Sequence, residues 1–234
     1  MAEEDQSLGG ALGSAWNAVK NFFAEIPSHM PCIPCMFKKA AAAPAPNVGP
    51  NWTKAVNDVF PGQQSYQNCG LQSSRQVIDQ AKGKLGKSEL QFMDDAIASC
   101  GVDRAANHPA DSGASTAVSR QCVMKQYGVP SSVEPATVAN VDAALRDRKG
   151  IIMSSSSDVL WSTQGIAQGA GGGGLHAVVI TNGLYDTDGK MTGVHINDTG
   201  TGTQYTLTTA QLKDCLDSGS GKLNVTDVPI WPNN

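Results

Sequence analysis

A cysteine delivered to the start of a helix is the first chemically pointed feature of this sequence. Gln63-Gln-Ser-Tyr-Gln-Asn-Cys69-Gly-Leu-Gln reads as a polar loop running into a helix whose first residue is Cys69. Unpaired backbone N–H groups and the helix dipole stabilise a thiolate at such a position, and the thiolate is the nucleophilic form. A cysteine that merely filled a core would not call for so polar an approach. A thiolate that attacks carbonyl carbon needs a base, and the histidines restrict the choice to His29, His108, His176 and His195. His176 opens an apolar strand directly after the glycine run 171–174 and Leu175, which sets its imidazole at a strand edge facing a cleft. Further on, Ile196-Asn197-Asp198 ends what reads as the partner strand. A hairpin turning at Asp188-Gly189 returns the Asn197–Asp198 pair to the neighbourhood of His176, where either side chain could orient the imidazole as third member of a relay. His108 and His195 have no apparent partner.

The elements that must position these residues divide into two kinds. Helices are expected over 69–81, over 89–100 with Ser88 and Gln91 in a capping-box pattern and Gly101 at the end, over 114–127 closed by Gly128, and over 136–147. Strands are expected at Gly150-Ile-Ile-Met-Ser, His176-Ala-Val-Val-Ile-Thr, Met191-Thr-Gly-Val-His-Ile-Asn, Gln204-Tyr-Thr-Leu and Leu223-Asn-Val-Thr. Helices first and strands later imply an α+β domain. Asp186-Thr-Asp-Gly189 supplies the dihedrals of a tight hairpin turn. A calcium loop is the sharper reading of Asp-x-Asp-Gly, but no glutamate follows at the distance that would complete it.

Composition narrows the rest. The 234 residues carry a net charge of -4, with 40% hydrophobic and 16% charged residues, as in an ordinary soluble domain with extensions. That charge gives no footprint for a nucleic-acid partner. The acidic start MAEEDQSLGG does not resemble a signal peptide, and no apolar run reaches the roughly 18 residues that span a bilayer, so a soluble chain made in the cytosol with no membrane partner is expected. Residues 1–30 form an extension whose apolar positions from Leu12 to Ile26 recur at helical spacing up to Pro27. That amphipathic helix could dock on its own domain, on a partner or on a secretion component. Residues 31–49 are a Pro/Ala-rich linker, and 50–234 the main domain. Six cysteines are too few and scattered for a disulfide scaffold; reduced thiols are expected, with Cys100, Cys122 and Cys215 in the core. For Cys32 and Cys35, near His29, a local disulfide, a metal site and inert thiols all remain open, and no metal or cofactor is assigned.

Taken jointly, Cys69-Gly70 at a helix start, the Gly174-Leu175-His176-Ala177-Val178-Val179 stretch and Ile196-Asn197-Asp198 resemble papain-fold cysteine peptidases. They look closest to the double-glycine leader peptidases of bacteriocin exporters and to papain-like toxin domains of interbacterial effectors. The resemblance covers roughly residues 50 to 230. It implies a helical N-terminal lobe carrying the nucleophile helix and a C-terminal antiparallel β-sheet lobe. It also implies Cys69 as nucleophile, His176 as base, Asp198 as orienter and Gln63, six residues before the cysteine, as oxyanion donor. Gln64 and Gln67 compete with Gln63, and Asn197 stays in play because papain itself uses asparagine. Gly173 and Gly174 are the implied substrate-binding residues of a narrow channel that admits Gly-Gly. The function implied is that of a secreted antibacterial endopeptidase toxin, cytoplasmic in the producer and then acting on proteins of a target cell. Its implied partners are that protein substrate, a cognate immunity protein over the cleft, and a secretion-apparatus component or chaperone at the N-terminal helix. Gly9-Gly10 resembles a double-glycine leader junction, with self-processing there as one reading and a chance pair in a chain of 25 glycines as the other. The alternatives are a deamidase or transglutaminase-like acyl transferase on the same relay, and an inactive binding module.

Overall fold

The computed structural model describes residues 67–105, 112–165, 174–200 and 202–231. The expected N-terminal helix and linker, Gly9, Gly10, His29, Cys32, Cys35, Gln63, Gln64, His108 and Gly173 lie outside the described residues.

Three helices come first. Helix α1 spans Cys69–Lys82, and α2 spans Glu89–Cys100. The Ser88–Gln91 capping box is formed in both directions, and Gly101 closes α2 at φ 61° in the left-handed region. Helix α3 is Ala117–Gln126, starting later than the expected residue 114 because a second capping box, Thr116 with Ser119, fixes its first turn. Strand β1, Ser131–Pro135, follows. It has no alternation of apolar residues and was not expected from the sequence.

Helix α4 is Val138–Arg146, with Thr137 as its cap, and strand β2 is Lys149–Ser156. A short helix α5, Ser157–Ser162, leads towards strand β3, Leu175–Tyr185, and strand β4, Met191–Asp198. The β3–β4 hairpin turns where Gly189 takes φ 74° and the Asp186 carboxylate accepts from the N–H groups of Asp188 and Lys190. Strand β5, Thr203–Thr208, helix α6, Thr209–Asp217, and strand β6, Lys222–Pro229, complete the described residues.

All strand pairs are antiparallel, in the order β1-β6-β2-β3-β4-β5. The class is therefore α+β, with a helical region ahead of an antiparallel sheet. Strand alternation sends successive side chains to opposite faces, and each face is covered. Ile151, Met153, Val178, Ile180, Val194, Ile196, Leu207, Leu223 and Val225 bury against α4, α5 and α6. Ile152, Ala177 and Val179 bury against α1, α2 and α3 with Leu71, Ile78, Phe92 and Met124. Among the described residues no helix is long and apolar enough to cross a membrane.

The expectation of reduced thiols is corrected at one pair. Cys100 and Cys122 form a disulfide across α2 and α3, with their Cα atoms 5.5 Å apart. The sequence pattern places each in the core by itself; helix packing brings together two cysteines that sequence separation keeps 22 positions apart. Cys69 and Cys215 are free, and Cys215 is buried.

Candidate active site

Cys69 is the first residue of α1 and is partly buried. Asn68 precedes it without a side-chain capping bond, so the helix start is not sealed by its own cap. The N–H groups of the first turn have no intrahelical acceptor. Two bonds tie this turn to β3: the Ala177 N–H donates to Cys69 Sγ over 3.4 Å, and the Ser73 hydroxyl donates to the Ala177 carbonyl over 3.1 Å. These backbone groups are within reach because β3 pairs with β4 only from Val179 onwards. Beyond that point the edge of β3 is open to α1.

His176 lies two residues along from Val178 on the same face of β3 and is 6% exposed. Its Nε2 is 2.7 Å from Asp198 Oδ1. Its other nitrogen, Nδ1, is not engaged by Asp198, and the imidazole and the Cys69 sulfur are near enough to shift each other's pKa. Asp198 is fully buried at the end of β4. The Gly200 N–H donates to its Oδ1 over 2.8 Å, and the Trp161 indole N–H donates to its Oδ2 over 2.9 Å. The Trp161 ring also lies 5.4 Å from the imidazole, centroid to centroid, at a tilt of 52°. Glycine at 200 leaves room for the imidazole, since a Cβ there would stand 3.0 Å from His176 Cε1, a tight contact.

Strand alternation separates the two orienter candidates. With Val179 opposite Asn197, the next residue, Asp198, falls on the face that carries Val178 and His176. Asn197 points to the opposite face, where its Oδ1 accepts from Gln204 Nε2 at 3.1 Å. The remaining candidates are dispersed. Gln67 is exposed. Gly174 is exposed too, with open space around its Cα, and its carbonyl accepts from the Ser157 N–H over 2.9 Å. His195 bonds Thr206 on β5, well away from the relay residues in the strand register, and burial lowers its pKa.

The electrostatics couple the three buried groups. Burial by itself pushes the Cys69 thiol up; the His176 hydrogen bond and charge, the Ala177 N–H and the Arg120 guanidinium outweigh it, and the thiol falls below its ordinary range. Burial pulls His176 down, but the Asp198 carboxylate and the Cys69 sulfur reverse this and raise the imidazole above its ordinary value. Asp198 is raised by burial and lowered further by His176, Trp161 and the Gly200 N–H, so it stays ionised. A thiolate beside an imidazolium, with a carboxylate behind, is the state this set favours.

Trp161, Gly200 and Arg120 were missed in reading the sequence. Trp161 sits in a six-residue helix with no repeat or motif to mark it. Among the described residues no cluster of three or more His, Cys, Asp or Glu could hold a metal ion.

Neither a family model nor a curated relative matches the sequence. In structure the chain is distantly similar to the crystal structure of a candidate C39-like peptidase from Bacillus anthracis, at 12% identity and a TM-score of 0.45, over 71% of this chain and 94% of that one.

Proposed function

We propose that this protein is a cysteine peptidase in which Cys69 is the nucleophile, His176 the general base and acid, and Asp198 the group that orients the imidazole. The observation that carries the reading is the buried His176–Asp198 pair, 2.7 Å apart, with the Cys69 sulfur near enough to the imidazole for each to shift the other's pKa. In this reading the imidazole holds the thiol proton before substrate arrives. The sulfur attacks the peptide carbonyl carbon, forming a C–S bond while the carbonyl electrons move onto oxygen. That oxyanion accepts from the Cys69 backbone N–H at the helix start, with the Gln63 side chain as the proposed second donor. As the intermediate collapses, the departing amine takes the proton from His176 Nδ1. Water then attacks the thioester and gives a proton to the same nitrogen; the C–S bond breaks, the acid leaves, and the thiolate beside the imidazolium is restored.

Substrate and setting follow from the resemblance: a papain-like toxin domain, residues 50–234, that cuts target-cell proteins at or near Gly-Gly and is held in check by an immunity protein. The test is the full chain, with Cys69→Ala and His176→Ala variants, incubated with a bacterial protein extract and scored by mass spectrometry for new termini. Termini made by the unsubstituted chain alone, lost by at least about 100-fold in either variant, are expected. Cutting that survives Cys69→Ala overturns the proposal. Mass shifts of about 1 Da on glutamines without new termini would replace peptide hydrolysis by deamidation on the same relay. Val in place of either glycine of a cleaved Gly-Gly should stop cutting, and continued cutting would end that specificity.

A further inference from the structure

Beneath the nucleophile lies a charge that the relay does not account for. Arg120, on α3, is only 3% exposed. Its guanidinium donates to three neutral acceptors: Nε to Asn224 Oδ1 on β6 at 2.8 Å, Nη1 to the Ser115 carbonyl at 3.1 Å, and Nη2 to Ser154 Oγ on β2 at 3.2 Å. No carboxylate pairs with it among the described residues. A buried cation without a counter-charge is costly, and structures tolerate one where an anion is close at hand. The group packs against the residue that follows the nucleophile: a Cβ on Gly70 would stand 3.0 Å from Arg120 Nη1 and 2.3 Å from Ser115 Oγ. The glycine after Cys69 therefore lets the guanidinium come up under the first turn of α1. Of the ionisable groups around it, the Cys69 sulfur is the one to which Arg120 is electrostatically coupled. Burial pulls the guanidinium down to about 10, still charged at neutral pH.

We propose that Arg120 is a positioning residue of the site, a fixed buried cation whose counter-charge is the Cys69 thiolate. It shares this task with His176 but takes no part in the proton transfers, so its charge is in place both when the thiolate attacks and when it is expelled again from the thioester. Asn224 is the element that keeps it available: its Nδ2 donates to the Ala117 carbonyl over 2.7 Å, which turns a neutral oxygen towards the guanidinium where an aspartate would neutralise it. The inference rests on the reading of Cys69 as nucleophile.

The experiment is the pH dependence of Cys69 alkylation by iodoacetamide, measured on the full chain by peptide mass mapping, with folding followed by circular dichroism. Arg120→Gln should move the alkylation midpoint upward by about one pH unit, and Arg120→Lys by less. Asn224→Asp keeps the arginine and supplies a carboxylate; it should raise the midpoint as well, and it guards against an Arg120 variant that fails to fold. A structural role alone would lower thermal stability and leave the midpoint in place. A folded Asn224→Asp or Arg120→Gln protein with an unshifted midpoint overturns the inference. His176→Ala separates the two readings. An unsubstituted chain whose Cys69 titrates like a free thiol, unaltered by His176→Ala, defeats the proposed nucleophile. A depressed midpoint that depends on His176 but not on Arg120 or Asn224 defeats only the role of the arginine.

Discussion

The two faces of the sheet are packed by different chemistry. The face under α4, α5 and α6 is a continuous apolar core in which Ile151, Val178, Ile196, Leu207 and Leu212 are fully buried. The face under α1 and α3 mixes its apolar core with buried Gln72, Ser73, Ser74, Gln76, Ser119, Arg120, Ser154 and Asn224. Asn68, ahead of α1, is buried as well, and among the described residues neither its side-chain polar atoms nor those of Gln76 have a protein partner. The candidate site forms where the two meet, past the end of the β3–β4 pairing: His176 and Asp198 come from the apolar face, Cys69 and Arg120 from the polar one. A nucleophile that must hold charge needs dipoles and donors around it, while the pair that orients it needs a rigid wall behind.

The comparison can be broken at either face. On the proposed relay, Asp198→Ala should lower turnover and Cys69 alkylation at neutral pH on the order of 10²-fold or more, since the imidazole would lose its orienter and its stabilising charge. Leu207→Ala, on the apolar face and away from the sulfur, should cost about 3 kcal/mol in urea unfolding with the alkylation midpoint unchanged. A shifted midpoint there would mean the faces are not separable. Replacing Cys100 and Cys122 together by serine opens the staple between α2 and α3 and should cost roughly 3 kcal/mol for a loop of this length, again without moving the midpoint. Ser88→Ala removes one half of a capping box and should cost about 1 kcal/mol.

The pH profile sharpens the same contrast. Cys69 is lowered from 9.0, so alkylation should rise with pH through a value below that of a free thiol. Asp198 is lowered from 3.8, so its contribution to folding is complete above that pH and lost as pH falls through the lower folded value. His176 is raised from 6.5, so its contribution is complete below 6.5 and lost as pH rises through the raised value. Stability measured by urea unfolding in Asp198→Ala should show neither of these two dependences at full size.

Much of the framework was readable because it is local. Ser88 with Gln91, Gly101, and Asp186 to Gly189 each fix their own few residues, and α2 and the β3–β4 hairpin appear where those signals put them. The placement of Cys69 at a helix start and of His176 near a strand start was legible for the same reason. Helix α6 carried an equally local signal, the Thr208–Gln211 capping box, that was overlooked. The rest depends on contacts between distant segments. Strand β1 pairs with β6 across the chain, the Cys100–Cys122 bond needs α2 against α3, and Arg120 is buried only because β2 and β6 close over it. No window of sequence contains those partners together.

The register of β3 against β4 has a consequence for how the chain tolerates change. Asparagine and aspartate stand next to each other at the end of β4, and the pairing alone decides which one meets His176. Loss of a single codon within the 186–190 turn would invite the strand to slide by one residue and offer Asn197 in place of Asp198. The same slide would turn Val194 and Ile196, both fully buried, out to the other face, at a cost of roughly 1.5 to 3 kcal/mol for each side chain. The grease of the sheet is thus the proofreader of the acid.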